Sequence, residues 1–342
     1  MSLIAPALEA LSADIARLTV ELGRRVDVAA IGGTDRRGQL KLHAPGRFSA
    51  NRACGLIRAA DGWIAVNLAR DDDRELIPAW VGADPGEDPW AALARAARRR
   101  STADLIEGAA LLGLPAGRVG EASADRLAPL ALRMGAARRG GRRGPLRVVD
   151  LSALWAGPLC GAVLAAMGAE VTKIESLGRP DPTRDSMPEF FRRLNGQKGE
   201  LQLDFAAAAD RARLRDAFAA ANVVITSARP RAFVGLGIEP AGVFAANPSL
   251  TWVAITGYGW TGDAGQRVGF GDDTAAAGGL VRWTTKGEPR FAGDALSDPV
   301  TGLAAALGAL QGLAAGGGVL VDAAMAKSAA AAAALARHGA AA

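Results

Sequence analysis

The stretch Arg147 to Glu175, RVVDLSALWAGPLCGAVLAAMGAEVTKIE, constrains this chain more than any other, because its pattern admits one local architecture. Leu146 to Leu151 is a β-rich apolar run, and Ser152 to Pro158 interrupts it with small residues. Ten Ala-, Leu- and Gly-rich residues follow, then Val171 to Ile174 alternates as a strand does. Pro158 suits the first turn of a helix and Gly168 its carboxyl-terminal cap. The expected unit is strand, loop, helix, parallel strand. Its first loop would lie at the carboxyl edge of a sheet, where doubly wound folds bind ligands.

Downstream the alternation continues. Strands are expected at Leu201 to Phe205, Val223 to Thr226, Thr251 to Thr256 and Val319 to Asp322. Helices are expected at Asp210 to Ala220, Pro240 to Asn247, Asp272 to Leu280 and Thr301 to Leu313. The fold class is therefore α/β, with a Rossmann-like parallel sheet. Upstream, Leu8, Leu11, Ile15, Leu18 and Leu22 predict an amphipathic helix, and Ala60-Asp61-Gly62 predicts a hairpin between Cys54–Ala59 and Trp63–Ala69. Residues 70–133 read as mostly helical, within a small α/β domain spanning 1–138. The Gly- and Arg-rich segment 139–146 reads as a linker to a catalytic domain at 147–342.

Composition excludes several classes. The net charge of +5 rests on arginines without interleaved aromatics, which argues against a nucleic-acid surface. Leu303 to Met325 is apolar, but glycines 316–318 and Asp322 interrupt it, so a buried helix and strand are expected rather than a membrane span. Glu9 and Asp14 within the first apolar stretch do not read as a signal peptide, and Cys54 and Cys160 lack disulfide or metal spacing. No metal is expected, and the cytoplasm is the expected compartment. With His43 and His338 the only histidines, a Ser-His-Asp arrangement is disfavoured. Glu175, at the end of the second strand, leaves a nicotinamide-dinucleotide site open, although GxGxxG is missing. Carboxylates remain as candidates: Asp272, Asp273, Asp294 and Asp298. By spacing alone Asp298, before Pro299 and Thr301, reads as a helix N-cap.

The ordered set VVDLSALWAGP, GAEVTKIE, DPTR, LNGQKGELQLD, ARPRAFVGLGI, ITGYGWTG and GDALSDPVTGLAAALGAL resembles the family III CoA-transferases, relatives of α-methylacyl-CoA racemase. The resemblance implies that Asp298 is a nucleophile attacking an acyl-CoA thioester. Coenzyme A is the implied co-substrate and a small carboxylic acid the acceptor. The implied CoA contacts are Leu154 and Trp155, Leu203, Ser227 and the loop Gly257, Tyr258, Gly259, with Arg184 and Lys198 nearby. Where relatives place arginine on the CoA phosphates this chain reads Ser176 and Gly235, leaving Arg229 or Arg231 as substitutes. The alternatives are an acyl-CoA racemase or epimerase and a non-catalytic CoA-binding protein. The hairpin domain, which follows the catalytic half in the family, here precedes it, so the chain reads as permuted. A homodimer is implied, with its interlocking left open by the changed order.

Overall fold

The computed structural model describes residues 2–138 and 144–341. The expected linker 139–146 falls mainly outside the described residues.

Twelve strands are described. In chain order they are β1 (Cys54–Arg58), β2 (Trp63–Asn67), β3 (Ala116–Arg118), β4 (Leu130–Arg133), β5 (Arg147–Leu151) and β6 (Glu170–Ser176). There follow β7 (Gly199–Leu203), β8 (Val223–Thr226), β9 (Thr251–Thr256), β10 (Val281–Trp283), β11 (Pro289–Phe291) and β12 (Val319–Ala324). Seven of them form one sheet in the order β4-β12-β9-β8-β5-β6-β7. All neighbours are parallel except β4, which runs antiparallel beside β12. The order in which successive strands are added reverses between β5 and β8, so the loops after these two strands open a crevice at the sheet's carboxyl edge.

Alternation on the strands explains how the sheet is sandwiched. Val148, Val171, Ile225, Val253 and Val321 face one core, against the helices Ala5–Glu21, Ala156–Ala166, Ser297–Ala314 and Met325–Ala341. Val149, Ile174, Val224, Trp252 and Leu320 face the other, where Leu214, Phe218, Phe233 and Phe244 close around Trp252. Strands buried on both faces read as continuous apolar runs, which is why β8 and β9 were legible. The alanine-rich terminal helix docks: Ala326 and Ala329 to Ala333 are buried.

β1, β2 and β3 form a separate antiparallel sheet. One face packs Ile57, Ile64 and Val66 against Trp80, Leu93 and Leu105 of the local helices. Its other face packs Cys54, Leu56, Trp63 and Ala65 against Ala276, Val281 and Phe291 of the large unit.

The packing divides the chain differently from the expected split at 138. The helix Ala5–Glu21 and strand β4 both precede that point, yet the helix lies in the large core and β4 completes the large sheet. Residues 70–133 do carry helices, at Asp71–Glu75, Ile77–Val81, Pro89–Ala97 and Thr102–Leu112, and the short strands β3 and β4 follow them. Among the described residues no helix is long and apolar enough to cross a membrane.

Candidate active site

The loop after β5 is held from below by buried charges. Asp150 accepts hydrogen bonds from the backbone N–H and hydroxyl of Ser152 and pairs with Lys198 Nζ at 2.8 Å. Burial pushes the Asp150 carboxyl up, but Lys198 and Lys173 outweigh it and hold the group below its ordinary range. Lys198 also donates to the Pro158 carbonyl at 2.9 Å and to Asn195 Oδ1 at 2.8 Å. Lys173 Nζ reaches the Ser152 carbonyl at 2.8 Å and Asp181 at 3.1 Å, while the Leu154 N–H donates to the same Asp181 oxygen at 3.2 Å. Gly161 is required here: a Cβ would come within 2.7 Å of Asp150 Oδ2 and 2.8 Å of Lys198 Nζ. So pinned, Leu154 adopts φ 69°, a left-handed conformation unfavourable for a branched side chain.

Asp298 lies across the crevice. The helix Ser297–Ala314 begins with Leu296 at the capping position and no side-chain cap, so the expected cap role of Asp298 is corrected: it sits in the first turn. Ser297 Oγ donates to the Gly271 carbonyl at 2.9 Å, tying this helix start to that of Gly271–Ala277. The preceding turn is strained at Ala295, φ 44°, whose N–H donates to Asp272 Oδ1 at 2.8 Å. Asp298 faces a cavity of about 190 Å³ lined by Leu154, Gly157, Ser227, Gly257, Phe270 and Met325, among others. A Cβ at position 271 would overlap Asp298 Oδ2, so glycine there makes room for the carboxylate.

Burial raises the Asp298 carboxyl to about 7, opposed by Arg36 and by a hydrogen bond from the Ala156 N–H and reinforced by Asp294. Burial likewise raises Asp272 to about 7 and Asp273 to about 8. Asp294 is the paired member of this cluster. It takes a bidentate contact from Arg36 at 2.6 and 2.9 Å, and the guanidinium lies 4.8 Å from the centroid of the Trp155 ring. Trp155 Nε1 in turn donates to the Gly33 carbonyl at 2.7 Å. Sequence reasoning missed Arg36 and Gly33. The run GGTDRRG at 32–38 is the one local signal, a glycine pair beside charges with no periodic element to absorb it.

Of the residues singled out in the sequence, Leu154, Ser227, Gly257 and Asp298 meet in this cavity, and Trp155 stands behind it. Others are elsewhere. Lys198 is corrected from ligand contact to buried counter-ion, its side chain wholly inaccessible, and Leu203 is fully buried in the core. Arg184 is committed to Glu175 and Glu200, each at 3.2 Å, and lies over Phe191. This also removes Glu175 as a free ribose acceptor, since Lys173 and Arg184 both engage it. Tyr258 donates to the Ala116 carbonyl at 3.0 Å beneath Arg267, stapling the small sheet to the large unit. Gly259, φ 141°, lies beside Asp322. Arg229 donates to the Gln266 carbonyl at 3.1 Å.

The family model for CoA-transferase family III matches residues 145–340, more than half of the chain. The chain belongs to CoA-transferase family III. Similar proteins include an acyl-CoA transferase of Fusarium pseudograminearum, 32% identical over a 175-residue alignment that covers 46% of this chain and 38% of that protein. A succinyl-CoA–D-citramalate CoA-transferase of Chloroflexus aurantiacus is 30% identical, covering 49% of this chain and 44% of its own length. The chain thus spans less than half the length of these curated relatives. Among solved structures, a CaiB/BaiF family protein from Brucella suis is similar at a TM-score of 0.50 and 29% identity, over 54% of this chain and 53% of that one.

Proposed function

We propose that this chain moves coenzyme A from an acyl-CoA thioester to a free carboxylic acid, with Asp298 as the nucleophile. One observation carries the reading: the Asp298 carboxylate faces a small cavity shared with Leu154, Ser227 and Gly257 at the reversal point of the sheet. Gly271 keeps the space over its oxygen clear.

In the first step a carboxylate oxygen of Asp298 attacks the thioester carbonyl carbon and the C–S bond breaks. The products are a mixed anhydride and CoA thiolate. The thiolate then attacks the aspartyl carbonyl and expels the donor acid, leaving an aspartyl-CoA thioester. The acceptor carboxylate attacks that thioester and releases the thiolate, which returns to the acceptor's acyl carbon and frees Asp298. Protons and electrons balance at each step without an external reactant. Protein groups have two tasks here. They keep the carboxylate poorly solvated, hence reactive, and offer N–H donors to each developing oxyanion. The first turn of Ala156–Ala166 offers backbone N–H groups at Ala156, which already bonds Asp298, and at Gly157, both suited to the second task.

An epimerase would need a second base. Against it stands the engagement of the neighbouring carboxylates, Asp272 by the Ala295 N–H and Asp294 by Arg36. Deuterium incorporation from D2O into an acyl-CoA would reveal epimerisation. Kinship with the family also leads us to propose a homodimer acting in the cytoplasm.

The deciding experiment follows CoA transfer into a labelled acid pool and traps the aspartyl thioester with hydroxylamine. Asp298→Ala should lose roughly three or more orders of magnitude in rate and all of the trapped adduct at that peptide. Undiminished turnover by the variant would overturn the assignment.

A further inference from the structure

The region matched to the family begins at residue 145, yet the contacts that stand behind Asp298 come from far upstream of it. Gly33 and Arg36 lie in the segment after the short helix Val28–Ile31. Gly32 ends that helix in a left-handed conformation, φ 64°, and its carbonyl accepts from Arg193 at 3.1 Å. A Cβ at position 33 would come within 2.6 Å of Leu194 and 2.9 Å of Leu159, so glycine lets the segment lie close against the helices Pro188–Asn195 and Ala156–Ala166.

From this seat the segment grips both walls of the crevice. On one side the Gly33 carbonyl takes the Trp155 indole N–H at 2.7 Å, and the Arg36 guanidinium covers the same ring at 4.8 Å from its centroid. On the other, Arg36 makes its two bonds to Asp294 at 2.6 and 2.9 Å. Trp155 precedes Ala156, whose N–H bonds Asp298, and Asp294 opens the turn that brings Asp298 to the same place. That turn is tight. A Cβ at position 293 would come within 2.6 Å of Leu296, Ala295 holds φ 44°, and the Asp298 N–H donates to the Ala295 carbonyl at 2.9 Å. Such strain persists only where the surroundings hold it in place. Stability alone accounts poorly for the ion pair: its side chains are 12% and 6% exposed, and apolar residues of equal volume often serve a buried site as well or better. What the planar fork adds is direction, since it fixes one orientation of the Asp294 carboxylate.

We propose that Arg36 is a positioning residue of the transfer reaction, which together with Gly33 sets the distance between the loop bearing Trp155 and the turn that carries the nucleophile. It acts through Trp155 and Asp294 rather than on the substrate, and the inference rests on the nucleophile role given to Asp298 above. The charge of Arg36 matters as well as its grip. The charged groups facing Asp298 are Arg36, Asp294 from the turn and Asp272 from the helix Gly271–Ala277, a cation set against two carboxylates. Removing the cation therefore disfavours the Asp298 anion.

Three variants test this: Arg36→Gln, which removes the charge; Arg36→Lys, which keeps it without the fork; and Arg36→Gln combined with Asp294→Asn, which leaves neither member of the pair charged. The readouts are the rate of hydroxylamine-trapped acylation of Asp298 across pH and the KM for the acyl-CoA. A misplacement of about 1 Å costs roughly a hundredfold in rate, so each variant should lose on that order from the plateau at high pH while KM changes little. In Arg36→Gln the acid limb should also move up by about one pH unit or more, because an opposite charge so close lowers a carboxyl by roughly 1–3 pH units. Arg36→Lys should bring the limb back toward its place in the parent chain. A merely structural role would lower the unfolding midpoint and leave the limb and the plateau of the folded molecules unmoved, and that result would overturn the assignment while the transferase reading stood. Should Arg36→Gln fail to fold, the double variant gives the same comparison, and a parental plateau there would overturn it equally. A parent chain that forms no adduct at Asp298 would overturn the transferase reading and this role with it.

Discussion

Asp298 is a carboxyl group whose neighbours pull it in opposite directions. Burial and Asp294 favour its protonated form; Arg36 and the Ala156 N–H favour the anion, and the outcome is a value of about 7. Only the anion is a nucleophile, so kcat/KM for CoA transfer should fall about tenfold for each pH unit below 7 and level off above it. A profile flat down to pH 5 would contradict the role given to this side chain. The sequence offered Asp298 as a cap, and only the resemblance made it a nucleophile. Spacing could not separate the two, because an Asp-Pro pair fits the capping position and the first turn alike. Nor could it reveal Arg36, since nothing in residues 32–38 has the period of a helix or a strand to betray what it packs against.

At the scale of the element, the loop after β5 depends on what lies under it. Lys198 is hydrogen-bonded to Asp150, Pro158 and Asn195, so it joins the strand β5, the start of the helix Ala156–Ala166 and the residue at the end of Pro188–Asn195. Removing the ammonium leaves Asp150 charged and buried, a loss of about 3–5 kcal/mol. Lys198→Met should accordingly lower the midpoint of urea unfolding sharply. The affinity for CoA of whatever remains folded should be little altered, the reverse of what a ligand-binding lysine would show. The parallel strands and their order of appearance were legible because each is an apolar run between turn signals. The three-residue strand β3 and the exposed β4 were not, for neither is long enough or buried enough to impose a pattern on its side chains.

On the scale of the whole molecule, the hairpin unit precedes the catalytic one in the chain, and we propose that this order is a permutation of the family's arrangement. The two are not independent bodies: the second face of the small sheet is covered by Ala276, Val281 and Phe291, and Tyr258 is bonded to Ala116. Thermal unfolding followed by far-ultraviolet dichroism and by tryptophan fluorescence should therefore give one coincident transition, although Trp63, Trp80 and Trp90 lie in one unit and Trp155, Trp252 and Trp260 in the other. Two separated transitions would show that the shared surface is too weak to couple them. That a first helix and an edge strand would cross into the large unit was not legible, because amphipathic periodicity says that a face is buried and not against what.

The contact between Arg36 and Asp294 joins positions 258 residues apart. A contact so distant along the chain cannot nucleate folding, since the entropy of closing such a loop has to be met before the ion pair gives anything back. The clasp beside Asp298 is thus a late acquisition, made after the parallel sheet has brought its two ends near each other. Until then Asp298 lacks the burial that raises its carboxyl in the folded chain. On the nucleophile role proposed for Asp298, a growing polypeptide has no such buried carboxylate to offer a thioester, and acquires one only when the segments around positions 36 and 294 have met.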